Sequence, residues 1–146
     1  MSVLEIDAFL GDERTCRVAT VGGDGAPHVA PLWFVWDGAA LWLYSIVQSQ
    51  RWTDVVRDPR VGVVVDAGKQ FHELRGVEII GRAETVGEVP RGSDPHDVLT
   101  VAELMFARKY LGGDAFHPDG RHAWLRVVPD KIVSWDFRKN PALRPS

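Results

Sequence analysis

The sequence has almost no cysteine. Its 146 residues include only Cys16, so the chain forms no internal disulfide and no metal site built from several thiolates. A chain without disulfides suits a reducing compartment, and we therefore expect a cytoplasmic location. Cys16 stands at the start of a predicted strand, where a small buried residue is ordinary.

Positive charge and long apolar runs are also scarce. Lysine and arginine total 17 against 20 aspartate and glutamate residues, the net charge is -3, and the pI is near 5.9. A chain of this charge offers no electrostatic footprint for DNA or RNA, and we expect no nucleic-acid partner. The apolar stretch near the N-terminus is short and interrupted by acidic residues, which predicts neither a signal peptide nor a membrane span.

Several catalytic and metal-binding patterns are missing as well. The five histidines show no HxxxH or HxH spacing, so we predict no metal site. No serine stands in a GxSxG elbow, which leaves hydrolase chemistry without support. His28 begins a tryptophan-rich strand, and we expect it to be a hydrogen-bonded residue at the strand end.

The sequence does contain a succession of short strands. Apolar runs are joined by "GGDGAP" and by Asp37-Gly38, two turn signals that favour antiparallel hairpins. Apolar and polar residues alternate over residues 76–86, as in a strand with one wet face, and Gly81 marks a bend or bulge there. We predict one domain over residues 1–146 that is mainly β, with six or seven antiparallel strands closed into a barrel.

Three short helices accompany these strands. Helical spacing predicts a lid over residues 3–10 that ends at Gly11, and a second helix over residues 50–56. The longest helix lies in "PHDVLTVAELMFARKYL", with Asp94 as its N-cap before Pro95. "HAWLRVV" and "KIVSWDFRK" are predicted to form a final strand pair that turns around Pro129-Asp130.

Two neighbouring strands are apolar on both faces. In "HVAPLWFVW" and "LWLYSIV" neither set of alternating side chains is polar, whereas one face of an antiparallel barrel strand normally meets water. Exposure of Trp33, Trp36 and Trp42 together would cost several kcal/mol at about 25 cal/mol per Å². Either a partner subunit or a flat ligand covers these strands, or the tryptophans fill a broad core of a single chain.

Polar residues gather where the second helix begins. Ser49, Gln50 and Arg51 bring a hydroxyl, an amide and a guanidinium next to free backbone N–H groups. This combination is suited to hold a phosphate through the helix dipole and a charged hydrogen bond. The alternative is a serine N-cap followed by a solvated arginine.

Several segments taken together resemble one family. The ordered set "RVATVGGDGAPHVAPLWFVWDGAALWLYS", "SQRWTDVVRDPRVGVVVD", "LRGVEIIGRAE" and "KIVSWDFRK" resembles the split β-barrel flavin and deazaflavin oxidoreductases related to pyridoxamine 5'-phosphate oxidase. The resemblance spans about residues 10–138. It is strongest to the actinobacterial branch that includes coenzyme F-420 dependent reductases.

The resemblance implies a homodimer with two cofactor sites at the interface. The cofactor ring would lie beside the second and third strands, and the phosphate would meet the start of the second helix. Residues of the partner subunit would complete the site. The implied cofactor-binding residues are Pro31, Leu32, Trp33, Tyr44, Ser45, Ile46 and Val47 at the ring, Ser49, Gln50 and Arg51 at the phosphate, and Val77 and Trp135 from the partner. Asp54-Val55 replaces the Asn-Leu of other members and adds a negative charge one helical turn from the phosphate.

The resemblance also implies an activity. We expect an F-420 dependent oxidoreductase that transfers a hydride to a small, flat, conjugated substrate. One alternative is an FMN-dependent oxidoreductase, and another is a module that binds a flavin, a deazaflavin or haem without turnover. "SWDFRKNPALRPS" lacks the arginine pattern of true pyridoxamine phosphate oxidases, so vitamin B6 oxidation is not the predicted activity, and no catalytic side chain is assigned.

Overall fold

The computed structural model describes residues 1–145. The elements in chain order are α1 (Val3–Asp12), β1 (Thr15–Val21), β2 (Pro27–Trp36), β3 (Leu41–Ile46), α2 (Gln50–Arg57), β4 (Arg60–Ala67), β5 (Arg75–Val86), α3 (Asp97–Phe106) with a π-helical extension (Ala107–Leu111), and β6 (His122–Asp136). Short 3-10 turns lie at Phe71–Glu73, Phe137–Lys139 and Pro141–Leu143. Within residues 1–145, no helix is long and apolar enough to cross a membrane.

The strands form a closed antiparallel barrel in the order β1-β2-β3-β6-β5-β4, which confirms the predicted fold class. The barrel has six strands, because the predicted pair around Pro129-Asp130 is wrong: β6 runs through both residues without turning. Its register against β5 shifts between Ile80 and Gly81, where Gly81 faces Pro129. The predicted irregularity at Gly81 is therefore present, and it lies where Pro129 has no N–H to donate to the ladder.

The barrel consists of two unequal pieces. Strand β1 pairs with β2 over seven residues, whereas β1 pairs with β4 and β2 pairs with β3 over only three residues each. The other four strands are joined by six, eight and twelve residue pairs. The β1–β2 hairpin is thus attached to a four-stranded sheet by a short seam on each side.

Helix α1 closes one end of the barrel, as its amphipathic pattern predicts. Its Phe9 and Leu10 pack into the core with the inward residues of the strands, among them Phe34, Leu43 and Val63. Ser2 caps the helix and forms a reciprocal capping box with Glu5, which satisfies two free N–H groups. The helix continues through Gly11 to Asp12 rather than ending at Gly11.

Helix α3 covers the outer face of β3 and the end of β2. Leu99, Ala102 and Phe106 form a second core with Trp42 and Trp124. Most of the two-faced apolar sequence is therefore covered within one chain: Trp36 and Trp42 are buried, whereas Trp33 is 47% exposed. Helix α3 therefore covers β3, whereas the first half of β2 keeps exposed apolar side chains such as Val29 and Trp33.

The start of α3 also differs from the prediction. Its N-cap is His96, whose ring accepts a hydrogen bond from the backbone N–H of Leu99. The carbonyl of Asp94 instead accepts a hydrogen bond from Arg91 over 2.8 Å. Asp94 therefore belongs to the loop that precedes the helix, where its carbonyl is held by Arg91.

Arg91 fastens that loop to the barrel. Its guanidinium is 4% exposed and donates to both carboxylate oxygens of Glu88 and of Glu103. Glu103 also accepts a hydrogen bond from the indole N–H of Trp124 at 3.0 Å. All charged groups of this buried network are thus paired, as low-dielectric surroundings require.

Candidate functional site

The site lies where β2 and β3 separate. Their ladder joins only Phe34, Val35 and Trp36 to β3, so the first seven residues of β2 have no partner on that side. The hydroxyl of Tyr110, from the π-helical extension, lies 3.1 Å from the backbone N–H and 2.8 Å from the carbonyl of Phe34. This side chain satisfies backbone groups at the point where the ladder ends.

A cavity of about 570 Å³ opens beside this gap; we call it the aromatic cavity. Its walls are the rings of Trp33, Tyr44, Phe106 and Phe116, and Trp33 stacks on Tyr110 at 4.4 Å with an interplanar angle of 7°. Pro31 and Leu32 line the β2 side. The walls are suited to a flat apolar group, because aromatic rings bind planar ligands by stacking and burial.

A smaller cavity of about 260 Å³ lies at the start of α2; we call it the anchor cavity. It is lined by Ser49, Gln50 and Arg51 from the helix, by Val18 and Thr20 from β1, and by His28, Val29 and Ala30 from β2. The helix begins here because Ser49 caps it: the hydroxyl of Ser49 accepts from the N–H of Trp52 and donates to the carbonyl of Ile46.

Arg51 is the charged group of the anchor cavity. Its Nε donates to the buried Ser45 hydroxyl over 3.1 Å, and no carboxylate of residues 1–145 forms an ion pair with it. Burial lowers the pKa of the Arg51 guanidinium from its usual value, because desolvation disfavours the charged form. A half-buried cation with no anionic partner is suited to an anionic ligand.

Asp54 does not oppose this anchor. Its carboxylate is fully buried and accepts hydrogen bonds from Thr20 at 2.8 Å, from Gln50 at 2.8 Å and from Nδ1 of His28 at 2.7 Å. The bond from His28 is the largest effect that lowers the pKa of Asp54 to about 2. The carboxylate is thus satisfied by its own hydrogen bonds, and it fixes three residues that line the anchor cavity, Thr20, His28 and Gln50. His28 is hydrogen-bonded at the strand end, as predicted.

The two cavities adjoin along β2. Ala30 lines the anchor cavity and Leu32 lines the aromatic cavity. Residues two apart in a strand lie on the same face and are separated by about 7 Å. Neighbouring residues of β2 therefore line both cavities, as a ligand with an anionic group at one end and a flat ring at the other would require.

The predicted ring and phosphate residues fall into four groups. Pro31, Leu32, Trp33 and Tyr44 line the aromatic cavity, and Ser49, Gln50 and Arg51 line the anchor cavity. Ile46 and Val47 line a third cavity of about 220 Å³ with Pro90 and Arg121. Ser45 is buried and contributes through Arg51.

The two residues expected from a partner subunit lie elsewhere in the chain. Val77 is 1% exposed and packs inside the barrel, so its side chain presents no surface to a ligand. Trp135 is partly exposed and faces Gly76 on the neighbouring strand. Neither lines the aromatic or the anchor cavity of its own chain.

Four polar residues of the aromatic cavity were not predicted: Thr15, His117, Asp119 and His122. Asp119 and His122 line one end of it, and Oδ2 of Asp119 lies 2.5 Å from Nδ1 of His122. The signal in the sequence is an aspartate three residues before a histidine at a strand start. Residues 1–145 bring no three His, Cys, Asp or Glu side chains together in a way that would hold a metal ion.

Comparison with known proteins places this geometry in a family. The family model for pyridoxamine 5'-phosphate oxidase matches residues 4–136, and no curated protein matches the chain in sequence. The crystal structure of the conserved hypothetical protein Rv2991 from Mycobacterium tuberculosis is 32% identical, with a TM-score of 0.83 over 100% of this chain and 91% of the other.

Two more distant structures share the fold. An F-420 reductase is 23% identical with a TM-score of 0.63, over 87% of this chain and 94% of the other. HutZ, the haem storage protein from Vibrio cholerae, is 15% identical with a TM-score of 0.69, over 91% and 94%. With a six-stranded barrel, matched along nearly its whole length, the chain belongs to the pyridoxamine 5'-phosphate oxidase family.

Proposed function

We propose that this protein is an oxidoreductase that uses coenzyme F-420, or alternatively FMN. The observation that carries the proposal is Arg51, a half-buried cation with no carboxylate partner within residues 1–145. It lines a cavity that neighbours, along β2, a second cavity walled by aromatic rings. Both cofactors carry a phosphate and a flat ring. When bound, the reduced cofactor supplies a hydride to the substrate.

The residues present fit such a cofactor. Arg51, Ser49 and the free N–H groups of α2 would hold the phosphate, and Pro31, Leu32 and Trp33 would lie beside the ring. The F-420 reductase among the structural neighbours has the same fold, and the sequence motifs resemble that branch. These two points favour F-420 over FMN in the proposal.

We also propose that two chains associate. Apolar side chains remain exposed on the first half of β2, where Val29 is 72% and Trp33 is 47% exposed, and on the β5–β6 face at Ile80, Val128 and Ile132. Burial of this surface by a second copy would remove apolar area from water. The homodimer implied by the family resemblance would use these strands.

Identification of the bound chromophore tests the cofactor. Mass spectrometry of the material released from purified protein, followed by titration of F-420, FMN and hemin against tryptophan fluorescence, separates the possibilities. We expect saturable F-420 binding with at most weak FMN binding. Binding of FMN alone would leave only the alternative enzyme, and binding of hemin alone, with a Soret band, would overturn the oxidoreductase proposal.

A further inference from the structure

One end of the aromatic cavity carries an aspartate–histidine pair. Asp119 precedes β6, and its Oδ1 accepts the backbone N–H groups of Arg121 at 2.9 Å and of His122 at 3.0 Å. Its other oxygen, Oδ2, lies 2.5 Å from Nδ1 of His122. The backbone N–H groups therefore hold the carboxylate in place, and the carboxylate orients the imidazole ring.

The pair leaves one nitrogen of His122 for a ligand. Because Nδ1 is engaged by Asp119, Nε2 is the nitrogen that meets whatever fills the cavity. The ring is held flat against Tyr44, with centroids 4.8 Å apart and an interplanar angle of 17°. The His122 side chain is 25% exposed, so it is accessible without movement of the wall.

The charged group beside His122 is the carboxylate of Asp119. No lysine or arginine lines the aromatic cavity. Burial opposes ionisation of Asp119, but hydrogen bonds from Arg121 and His122 outweigh it and lower its pKa from the usual value.

The hydroxyl of Tyr44 is a further polar group in this wall. It is buried with no hydrogen-bond partner in residues 1–145. Burial, followed by the charge of Asp119, raises the pKa of Tyr44 to about 12, so the hydroxyl keeps its proton at neutral pH. The polar end of the cavity therefore combines an imidazole nitrogen and a hydroxyl below aromatic walls.

We propose that the aromatic cavity is the substrate site for a planar conjugated carbonyl compound, and that His122, positioned by Asp119, binds the carbonyl oxygen and protonates it. The inference rests on the proposed oxidoreductase function. It adds the residue that binds the substrate carbonyl and donates the proton, for which the sequence offered no candidate.

The reaction balances with these groups. For a quinone, the hydride from the reduced cofactor brings two electrons and one hydrogen, and the electron pair of the conjugated system moves to the distal oxygen as a hydroquinone anion. The Nε2–H bond of His122 breaks and an O–H bond forms, which gives the neutral hydroquinone. The neutral imidazole then regains a proton from water, and the cofactor leaves oxidised.

The first test measures binding without the cofactor. 1,4-Naphthoquinone is titrated into the purified protein while the tryptophan fluorescence is recorded, to which Trp33 in the cavity wall and Trp124, packed against Phe116, contribute. We expect His122→Phe, which keeps the ring on Tyr44 but has no nitrogen, to weaken binding by about tenfold or more, as for a lost charged hydrogen bond. His72→Phe is the matched control, because His72 has a similar side-chain exposure of 29% outside the cavity.

The second test measures turnover with the cofactor that the chromophore experiment identifies. His122→Gln keeps an N–H donor but has no proton to release, so we expect KM to stay within about threefold and kcat to fall by roughly a hundredfold or more. Asp119→Asn keeps the acceptor for the backbone N–H groups but removes the charge beside the ring. It should lower kcat with an unchanged melting temperature, which a purely structural role would not predict.

The outcomes separate the inference from the proposed function. Equal naphthoquinone affinity in the wild type and in both His122 variants would overturn the inference, even if the cofactor binds through Arg51. Binding that depends on His122 in a protein that takes up neither F-420 nor FMN would support the substrate cavity and overturn the oxidoreductase. Should His122→Phe fail to fold, His122→Gln decides the kcat comparison.

Discussion

Nδ1 of His28 lies 2.7 Å from Oδ2 of Asp54, although the two residues are 26 positions apart in the sequence. The carboxylate sits behind the anchor cavity and the imidazole in its wall. This contact explains how the helix that holds Arg51 also tolerates an acid one turn away: the carboxylate is directed toward Thr20 on β1 and His28 on β2 and is hydrogen-bonded there.

Replacement of Asp54 should lower stability in a manner that depends on pH. The folded-state pKa of Asp54, about 2, lies below that of an unfolded aspartate near 3.9. Its ionised contacts therefore stabilise the fold fully above about pH 5, and this contribution is lost as the pH falls through 4 toward 2.

Urea unfolding of the wild type and of Asp54→Asn checks this dependence. We expect a clear difference in the free energy of unfolding at pH 7 that narrows at pH 3. Asp24→Asn is a suitable control, because Asp24 is an exposed loop residue. A difference that is constant with pH would contradict the assignment.

Arg51→Ala should weaken the binding of a phosphate-bearing cofactor by roughly 1.5 to 3 kcal/mol, as for a lost charged hydrogen bond. Isothermal titration with F-420 and FMN gives the affinities. Arg60→Ala serves as the matched control, since Arg60 is 66% exposed and pairs with Asp58. If Arg51→Ala binds both cofactors as the wild type does, the anchor has been assigned to the wrong residue.

Arg91→Met should cost about 3 to 5 kcal/mol of unfolding free energy, because it leaves the carboxylates of Glu88 and Glu103 without their buried partner. Chemical denaturation measures the change. The comparison is Arg126→Met, whose partner Glu84 is 49% exposed, and which should cost no more than about 1 kcal/mol. Equal losses for the two variants would mean that the Arg91 network contributes no more than a surface pair.

Ile80→Glu should dissociate the proposed homodimer. Ile80 lies on the β5–β6 face and is 43% exposed. A second copy would bury a charge at this position, which is costly without a partner of opposite charge. Sedimentation velocity should show a dimer for the wild type and a monomer for the variant. Val98→Glu, on a helix residue that is 45% exposed, should remain dimeric. A wild type that sediments as a monomer would remove the homodimer from the proposal.

The elements that depend on local chemistry could be predicted from the sequence. Neighbouring residues specify the Asp37-Gly38 turn, the alternation over residues 76–86 and the Ser49 cap. The path of β6 was mispredicted because proline normally interrupts a strand, whereas here the register shift opposite Gly81 accommodates it. The cover that α3 gives to β3 depends on tertiary packing, which no local pattern specifies.

The site shows the same division. Arg51 could be proposed from the sequence because its motif is contiguous, and the structure places it in the wall of a cavity. Asp54 lies on a helix and contacts His28 on a strand that is distant in the sequence. The sequence alone therefore indicated only an added negative charge near the phosphate. Asp119 and His122 are close in the sequence, but they line a cavity only because Phe106 and Phe116 supply its aromatic walls from another segment.

The short seams on either side of the β1–β2 hairpin have a consequence for motion. With three residue pairs on each flank, this hairpin is the part of the barrel whose local opening needs the fewest broken hydrogen bonds. Strands β5 and β6, in contrast, are joined by twelve residue pairs. We therefore expect the β1–β2 hairpin to open locally while the four-stranded sheet stays rigid. A ligand held between β2 and the start of α2 would connect the hairpin to that helix. Binding at the site would therefore also suppress the local opening of the hairpin.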